Sequence, residues 1–159
     1  MGKQDKRRIE TSEIAIGNGV SESVVLTAPG YLKNGKIGDT IACFAEEFRF
    51  KDHGVGLEFK DKERLTEFFQ KTRELYADSL LLTDTIFVSG DDVITEWTLQ
   101  AKLTEPFYGD LSRKVRVSVQ GATIVRTDNG KITDWADYYD GQVSRRTALA
   151  SYFTDWVEL

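Results

Sequence analysis

The stretch GKITDWADYYD, residues 130–140, carries three carboxylates, one tryptophan and two tyrosines, and its Gly130 completes an Asn-Gly pair. Asn-Gly is a strong signal for a β-hairpin turn, so the residues that follow are predicted to form a strand. Successive strand side chains point to opposite faces of a sheet, which places Asp137 on one face with Trp135 and Tyr139. The other two acids fall on the opposite face. The pattern therefore predicts one carboxylate among aromatic rings and two on the wet side.

Three further strand-like segments precede this one, at residues 79–90, 93–103 and 114–127. The last of them alternates between apolar and polar residues, which is the period of a strand with one polar face. The alternating residues are Val115, Val117 and Val119 against Arg116, Ser118 and Gln120. A polar face argues against a dedicated protein-binding scaffold, which would present a long apolar outer face. Turn residues separate the segments, so the four strands are predicted to form a meander.

Two helices are predicted before these strands. The segment 38–48 opens with Asp39, a good N-cap residue, and its apolar side chains recur at the spacing of one helical face. Those side chains are Ile41, Phe44, Ala45 and Phe48. The segment 60–78 can be capped by Asp61 and presents a continuous apolar stripe. That stripe consists of Leu65, Phe68, Phe69, Leu75 and Tyr76. A short alternating strand at 48–54 lies between the two helices.

Helices followed by antiparallel strands predict an α+β domain with the helices on one face of a curved sheet. Residues 1–20 are polar and weakly patterned, which predicts an N-terminal arm that is partly mobile. The segment 21–33 is ambiguous, because a Pro-Gly pair interrupts its helical pattern. Residues 21–159 are predicted to form a single domain, and the tail at 142–159 is predicted to form a short amphipathic helix.

The composition bounds the function. A chain of 159 residues with 40% hydrophobic residues fits one globular domain with one sizeable core. The net charge of −5 argues against a nucleic-acid partner, which would require a basic face. One cysteine, Cys43, and one histidine, His53, cannot form an internal disulfide or a zinc site of the usual kind. No segment has the length of a signal peptide or a membrane span, so no membrane partner is expected and a cytoplasmic protein is predicted.

Four stretches carry a family resemblance: GDTIACFAEEFRFKDHG, FKDKERLTEFFQKTRELYAD, VITEW and NGKITDWADYYD. In this order they resemble the SnoaL-like branch of the nuclear-transport-factor-2-like superfamily, across residues 21–145. The resemblance implies a cone-shaped half-barrel, whose curved mixed or antiparallel sheet wraps on N-terminal helices and leaves one deep pocket. It also implies a homodimer. The superfamily includes polyketide cyclases, ketosteroid isomerases, scytalone dehydratase and limonene-1,2-epoxide hydrolase, together with members of no known catalysis, so the fold leaves the function open.

The hexapeptide WADYYD resembles the W-R-D-Y-F-D of limonene epoxide hydrolase, in which the first aspartate is catalytic. That position is Asp137 here, so the resemblance implies a catalytic Asp137. The residues themselves point the same way, because a lone carboxylate among aromatic rings loses hydration and its pKa rises. Such a group can exchange a proton near neutral pH, as general acid–base catalysis requires. The alternative is a solvated aspartate near the end of a strand.

The strand VITEWTLQA departs from the same enzyme. The epoxide hydrolase has T-E-R-V-D here, and both its arginine and its aspartate are catalytic. Trp97 and Leu99 stand in those two positions. The hydrolase triad is therefore not retained, and epoxide hydrolysis by that route is not expected. Trp97 and Leu99 are instead predicted to belong to an apolar wall that lines the pocket.

The short strand before the second helix supplies two more candidates. Phe50 and Asp52 occupy the positions of the tyrosine and asparagine that hold water in the epoxide hydrolase. Asp52 is predicted to face Asp137 across the pocket, where two opposed carboxylates would push their pKa values apart into an acid and a base. His53 can titrate near neutrality, but it falls on the opposite face of the strand, just before Gly54, where bends are easy. The alternative for Asp52 and His53 is a polar turn.

Together these residues predict a small-molecule enzyme. It would transfer protons in the isomerisation, cyclisation, dehydration or hydration of an apolar, carbonyl-bearing or polycyclic substrate. The predicted catalytic residues are Asp137, Asp52 and His53, and the predicted ligand-binding residues are Phe50, Trp97, Leu99, Trp135 and Tyr139. Four side chains could each donate a hydrogen bond to a ligand carbonyl: Tyr76, Tyr108, Tyr139 and Trp135. Positioned acids, bases and donors suffice for this chemistry, so no metal or cofactor is implied. The alternative is a non-catalytic ligand-binding or dimerisation module of the same fold.

Overall fold

The structure, a computed structural model, describes residues 9–10, 25, 28–32, 35–103 and 116–140. Its helices are a 3-10 turn at Ala28–Leu32, helix α1 at Ile37–Ala42 and helix α2 at Lys62–Leu75. Its strands are β1 (Ile9–Glu10), β2 (Phe44–Asp52), β3 (Leu57–Phe59), β4 (Tyr76–Ser89), β5 (Asp92–Leu103), β6 (Arg116–Asp128) and β7 (Lys131–Tyr139). No helix within these ranges is long and apolar enough to cross a membrane.

The strands form one sheet in the order β1-β4-β5-β6-β7-β2-β3. Strands β4 to β7 are the predicted antiparallel meander, and the turn between β6 and β7 is the predicted Asn-Gly hairpin with positive φ at both residues. Strand β2 runs parallel to β7, which makes the sheet mixed. The predicted α+β cone with a curved mixed sheet is therefore confirmed. Strand β1, which lies within the predicted N-terminal arm, pairs with β4.

Helix α1 is shorter than predicted. It ends at Ala42 rather than continuing to Phe48, and its N-cap is Lys36 rather than Asp39, which lies in the first turn. The residues from Phe44 onward form strand β2 instead. A separation of four residues fits one helical face and also one strand face, so the apolar spacing did not distinguish the two. Ladder hydrogen bonds to β3 and β7 favour the strand.

Helix α2 forms where it was predicted, but it ends at Leu75, so Tyr76 of the predicted stripe begins strand β4 instead. The Asp61 side chain caps it by accepting a hydrogen bond from the backbone N–H of Arg64 at 2.9 Å. The helix buries its apolar stripe, which comprises Leu65, Phe68, Phe69 and Leu75. This stripe fixes α2 against the concave face of the sheet, where aromatic rings from β2 and β7 meet it.

The core is built around Phe50, which is only 2% exposed. Its ring meets Phe69 of α2 edge-on at a centroid distance of 5.6 Å and stacks parallel to Trp135 of β7 at 6.2 Å. Strands β2 and β7 are thereby tied to the helix through one ring. Because this contact lies toward one side of the concave face, space remains between the helices and the centre of the sheet.

The outer face of the sheet is mixed in character. Ser118 and Gln120 of β6 are exposed, as the predicted polar face requires, but Ile124 further along the strand is exposed too. Ile124 lies beside Ile94, which lies beside Phe87, so exposed apolar side chains cross three strands. The homodimer remains a prediction. The predicted C-terminal helix and Tyr108 lie outside the described residues.

Candidate functional site

A cavity of about 100 Å³ lies between the helices and the concave face of the sheet. By the volume that one water needs, it has room for several waters or a small ring compound. Its described lining is largely aromatic and contains no lysine, arginine or histidine. The nine rings are Tyr31, Phe44, Phe50, Phe68, Phe69, Tyr76, Trp97, Trp135 and Tyr139. A mostly apolar pocket with a few convergent polar groups is the usual form of a small-molecule site.

Two carboxylates face this cavity side by side. Asp52 of β2 and Asp137 of β7 are direct partners in the parallel ladder, so their side chains lie on the same face of the sheet. Asp52 is 6% exposed, and both of its oxygens accept hydrogen bonds. The Tyr139 hydroxyl donates to Oδ2 at 3.0 Å, and the backbone N–H of Val55 donates to Oδ1 at 3.0 Å. Asp52 is thus held in one orientation by donors that suit its ionised form.

Asp137 is held from one side only. The Trp97 indole Nε1 donates to Thr123 Oγ1 at 2.8 Å, and the Thr123 hydroxyl donates to Asp137 Oδ1 at 2.5 Å. The direction of the first bond is fixed, because an indole N–H can only donate. The second oxygen, Oδ2, accepts no hydrogen bond of ordinary geometry from the described residues, although the Trp135 indole lies close enough to the carboxyl to lower its pKa. It is therefore free to carry a proton or to contact a ligand.

The electrostatics separate the two acids. Burial raises the pKa of Asp137 to about 7, with a further upward contribution from the neighbouring Asp52 charge. The hydrogen bond from Thr123 opposes the rise. Burial also raises the pKa of Asp52, but hydrogen bonds from Tyr139 and the backbone oppose it. Because two adjacent carboxylates beside an apolar cavity cannot both ionise easily, we assign the charge to Asp52 and the proton to Asp137 near neutral pH.

The structure places each predicted ligand-binding residue on the cavity wall: Phe50, Trp97, Leu99, Trp135 and Tyr139. It also brings Asp52 and Asp137 together there. Strand alternation accounts for this arrangement, since the residues lie two apart along β2, β5 and β7.

The structure does not bring His53 to the cavity. The His53 side chain is exposed, and its ring stacks on Tyr138 at a centroid distance of 4.3 Å. Tyr138 is exposed as well and lies on the outer face of β7. His53 is the first residue of the turn that follows β2, and its backbone N–H donates to the carbonyl of Asp137 at 2.9 Å. His53 is therefore not part of the described cavity lining, and its catalytic role stays a prediction.

Two residues of the site were not predicted. Tyr31 lines the cavity and stacks on Phe69 at 4.2 Å, and burial together with the Asp137 and Asp52 charges raises the pKa of its phenol. It lies in the 3-10 turn, where no periodicity marks a buried face. Thr123 could have been found, because it lies two residues from the buried Val125 along β6 and therefore on the same face of the strand.

Two glycines make room for the rings around the acids. A Cβ placed on Gly54 would come within 2.1 Å of the Tyr139 ring, and one on Gly121 would come within 2.5 Å of the Trp97 ring. These are the two rings that hydrogen-bond toward Asp52 and Asp137. The absence of side chains at both positions therefore fixes where the rings lie.

The donor set of the cavity suits proton chemistry better than metal binding. Asp52 and Asp137 are its only described carboxylates. Across the ranges given above, no three His, Cys, Asp or Glu side chains come together as metal ligands. Nothing in the described lining resembles a phosphate-binding loop.

Comparison with known proteins identifies the family. Residues 31–135, more than half of the chain, match the model of the SnoaL-like domain. A candidate SnoaL-like polyketide cyclase from Shewanella putrefaciens has the same fold, with a TM-score of 0.73 at 15% identity over 92% of this chain and 97% of that one. A protein of ketosteroid isomerase-like fold from Catenulispora acidiphila, crystallised with trimethylamine, gives 0.63 at 19% identity over 73% and 84%.

A third solved structure, AclR, is a candidate hydroxylase from Streptomyces galilaeus. It gives a TM-score of 0.65 at 16% identity over 79% of this chain and 80% of that one. At such identities structural likeness shows the fold alone. No curated protein matches the sequence. Because the family model covers more than half of the chain, the chain belongs to the SnoaL-like family.

Proposed function

We propose that this protein is a small-molecule enzyme that moves protons on an apolar, carbonyl-bearing ligand bound in the cavity. One observation carries the proposal: Asp137 faces the cavity with one oxygen bonded by Thr123 and the other free, next to the fully bonded Asp52. Burial and the Asp52 charge raise the pKa of Asp137 to about 7, so it can both give and take a proton near neutral pH.

The two acids take different roles. Protonated Asp137 donates its proton to the ligand's carbonyl oxygen, while ionised Asp52 takes a proton from the carbon next to that carbonyl. The ligand becomes an enol, and no electrons leave it. Return of a proton from Asp52 to another carbon, and of the enol proton to Asp137, gives an isomer and restores both carboxyls. In a cyclisation the enol carbon would instead attack a second carbonyl carbon, whose oxygen takes up the proton. In a dehydration the Asp137 proton would go to a hydroxyl that leaves as water, and a hydration is the reverse.

The lining supports an apolar ligand. Phe50, Trp97, Leu99 and Trp135 supply rings and an aliphatic wall, and they shape the space beside the acids. The low polarity around Asp137 strengthens any hydrogen bond that it makes to a ligand. The words polyketide cyclase and ketosteroid isomerase-like, used of two relatives, also refer to carbonyl compounds.

A small protonated amine is a second ligand class. Two carboxylates among aromatic rings could hold a cation, and the relative from Catenulispora acidiphila was crystallised with trimethylamine. We place this class second, because Asp137, whose second oxygen is open to a ligand, is protonated near neutral pH in our assignment and so offers a cation no charge. A further alternative is a ligand-binding module that has no catalytic activity.

Proton exchange tests the proposal without knowledge of the natural substrate. Cyclohexanone is incubated with the protein in deuterated buffer, and deuterium at the carbons next to the carbonyl is followed by NMR. We expect the wild type to exchange faster than Asp137→Asn by about 100-fold or more, the usual contribution of a general acid or base. The matched control is Asp134→Asn on the same strand. Asp134 lies away from the cavity and forms an ion pair with Arg49, with a nitrogen–oxygen distance of 2.7 Å.

The control should exchange at the wild-type rate. If wild-type and Asp137→Asn proteins bind cyclohexanone and exchange it equally, proton transfer by Asp137 is wrong. The non-catalytic alternative then takes its place.

A further inference from the structure

The indole nitrogen of Trp135 is the one buried side-chain polar atom that lacks a hydrogen-bond partner within the described residues. Trp135 is only 7% exposed, and it lines the cavity. A buried donor without a partner is unfavourable, and native proteins rarely retain one without a reason. The missing partner is therefore expected to come from whatever occupies the cavity.

Two other donors near the acids are already used. The Tyr139 hydroxyl bonds Asp52, and the Trp97 indole bonds Thr123. Trp135 thus differs from Trp97, although both rings lie on the same wall. Of the predicted donors to a ligand carbonyl that the structure describes, Trp135 is the one whose buried donor atom lacks a partner.

The Trp135 nitrogen also lies beside the acid that carries the proton. The Trp135 indole lies close enough to the Asp137 carboxyl to lower its pKa, although the two make no hydrogen bond of ordinary geometry. The free Oδ2 of Asp137 and the free N–H of Trp135 therefore belong to one neighbourhood. A single oxygen atom bound there could accept a hydrogen bond from both. The stack on Phe50 holds the Trp135 ring in place, so this arrangement exists before a ligand binds.

We propose that Trp135 Nε1 and protonated Asp137 together form a two-donor seat for one oxygen of the ligand, which selects a ketone over its hydrocarbon analogue and over an amine. A site built to bond an oxygen discriminates against an analogue that lacks it, because its buried donors are then left unpaired. An amine offers donors where this seat needs an acceptor. The inference rests on the proposed function for the ligand class, and it concerns binding rather than turnover.

The indole N–H signals in a ¹⁵N–¹H correlation spectrum test this directly. The chain has three tryptophans, and Trp135→Phe identifies the Trp135 signal by removing it. Three probes of the same ring size are titrated: cyclohexanone, methylenecyclohexane and cyclohexylamine. We expect cyclohexanone to shift the Trp135 proton downfield, as a new hydrogen bond does, while the Trp97 signal moves little. Methylenecyclohexane has the shape of the ketone without its oxygen, so it should give no such shift.

Affinity gives the second readout. Trp135→Phe keeps an aromatic ring against Phe50 and removes the donor. It should weaken cyclohexanone binding about tenfold, the usual effect of one such hydrogen bond, and leave methylenecyclohexane binding nearly unchanged. The seat is wrong if cyclohexanone does not bind, if it binds without moving the Trp135 signal, or if cyclohexylamine binds more tightly. It is also wrong if the variant weakens both neutral probes equally.

The wild-type signal does not depend on how well the variant folds. Because no step here requires turnover, the seat can be confirmed when proton exchange fails. Exchange can likewise persist in a protein whose Trp135 signal does not respond. The two proposals therefore fail by different measurements.

Discussion

Asp52 and Asp137 are direct neighbours across the only parallel strand pair in the described sheet. The chain separates them by helix α2 and four strands, yet the β2–β7 ladder places both carboxyls on the concave face. Their hydrogen bonds differ, since Asp52 accepts at both oxygens and Asp137 at one. Because the two residues are of the same type, this difference in hydrogen bonding is what assigns the negative charge to Asp52 and the exchangeable proton to Asp137.

Stability should fall as the pH rises toward neutrality. The folded-state pKa of Asp137, about 7, lies above the ordinary unfolded value of about 4. The folded protein therefore binds more protons between these values, and each pH unit there removes up to about 1.4 kcal/mol of the free energy of unfolding. Below pH 4 this contribution is complete, and above pH 7 it is lost. Urea unfolding between pH 4 and 8 measures it.

In Asp137→Asn this pH dependence should be much flatter, and the variant should be more stable than the wild type at pH 8. Asp134→Asn serves as the control, because Asp134 lies at the surface in an ion pair with Arg49. Its slope should match the wild type. Equal slopes in all three proteins would contradict a raised pKa at Asp137.

Thr123→Val should disturb both partners of the Thr123 hydroxyl. It removes a bond that lowers the pKa of Asp137, so the pKa should rise further. It also leaves the Trp97 N–H unbonded, at a cost of roughly 1–3 kcal/mol in the free energy of unfolding. Proton exchange requires protonated Asp137, so its rate falls as the pH rises. In the variant it should fall to half its plateau at a higher pH than in the wild type.

Thr95→Val is the matched control for that variant. Thr95 is buried and lines the same cavity, but it makes no hydrogen bond to either carboxyl. Its pH profile should follow the wild type. A profile that shifts equally in both variants would show that Thr123 acts through packing alone.

Gly54→Ala should push the Tyr139 ring away from Asp52. The added methyl would lie 2.1 Å from the ring, so the ring must move and its hydrogen bond to Asp52 must lengthen. We expect a loss of roughly 1–3 kcal/mol in the free energy of unfolding, as for other overpacked sites, and slower proton exchange. Gly38→Ala in helix α1 is the control, since nothing lies within 4 Å of its Cβ position. Wild-type exchange in Gly54→Ala would argue against a role for the Tyr139 bond.

The sequence predicted the face of Asp137 because an Asn-Gly hairpin and strict alternation are local signals. It likewise predicted helix α2, where Asp61 and the apolar stripe agree. Helix α1 was predicted too long, because apolar residues four apart suit a helix and a strand equally. Only long-range pairing with β7 decides that Phe44 to Asp52 form a strand, and such pairing leaves no local signal.

The contact between Asp52 and Asp137 depends on the same pairing. The family resemblance and alternation predicted that they face each other, but not that they are ladder partners. The free N–H of Trp135 could not be predicted from the sequence, because Trp97 and Trp135 are the same residue type and both lie in predicted strands. Hydrogen bonding to Thr123 tells them apart.

A direct titration of Asp137 tests the central claim. The protein is labelled with ¹³C at the aspartate carboxyls, and the carboxyl shift of Asp137, assigned by its loss in Asp137→Asn, is followed from pH 3 to pH 9. The account predicts a midpoint at about 7. A midpoint near the ordinary value of about 4 would contradict it, because Asp137 would then be an ionised carboxylate with no proton to give at neutral pH.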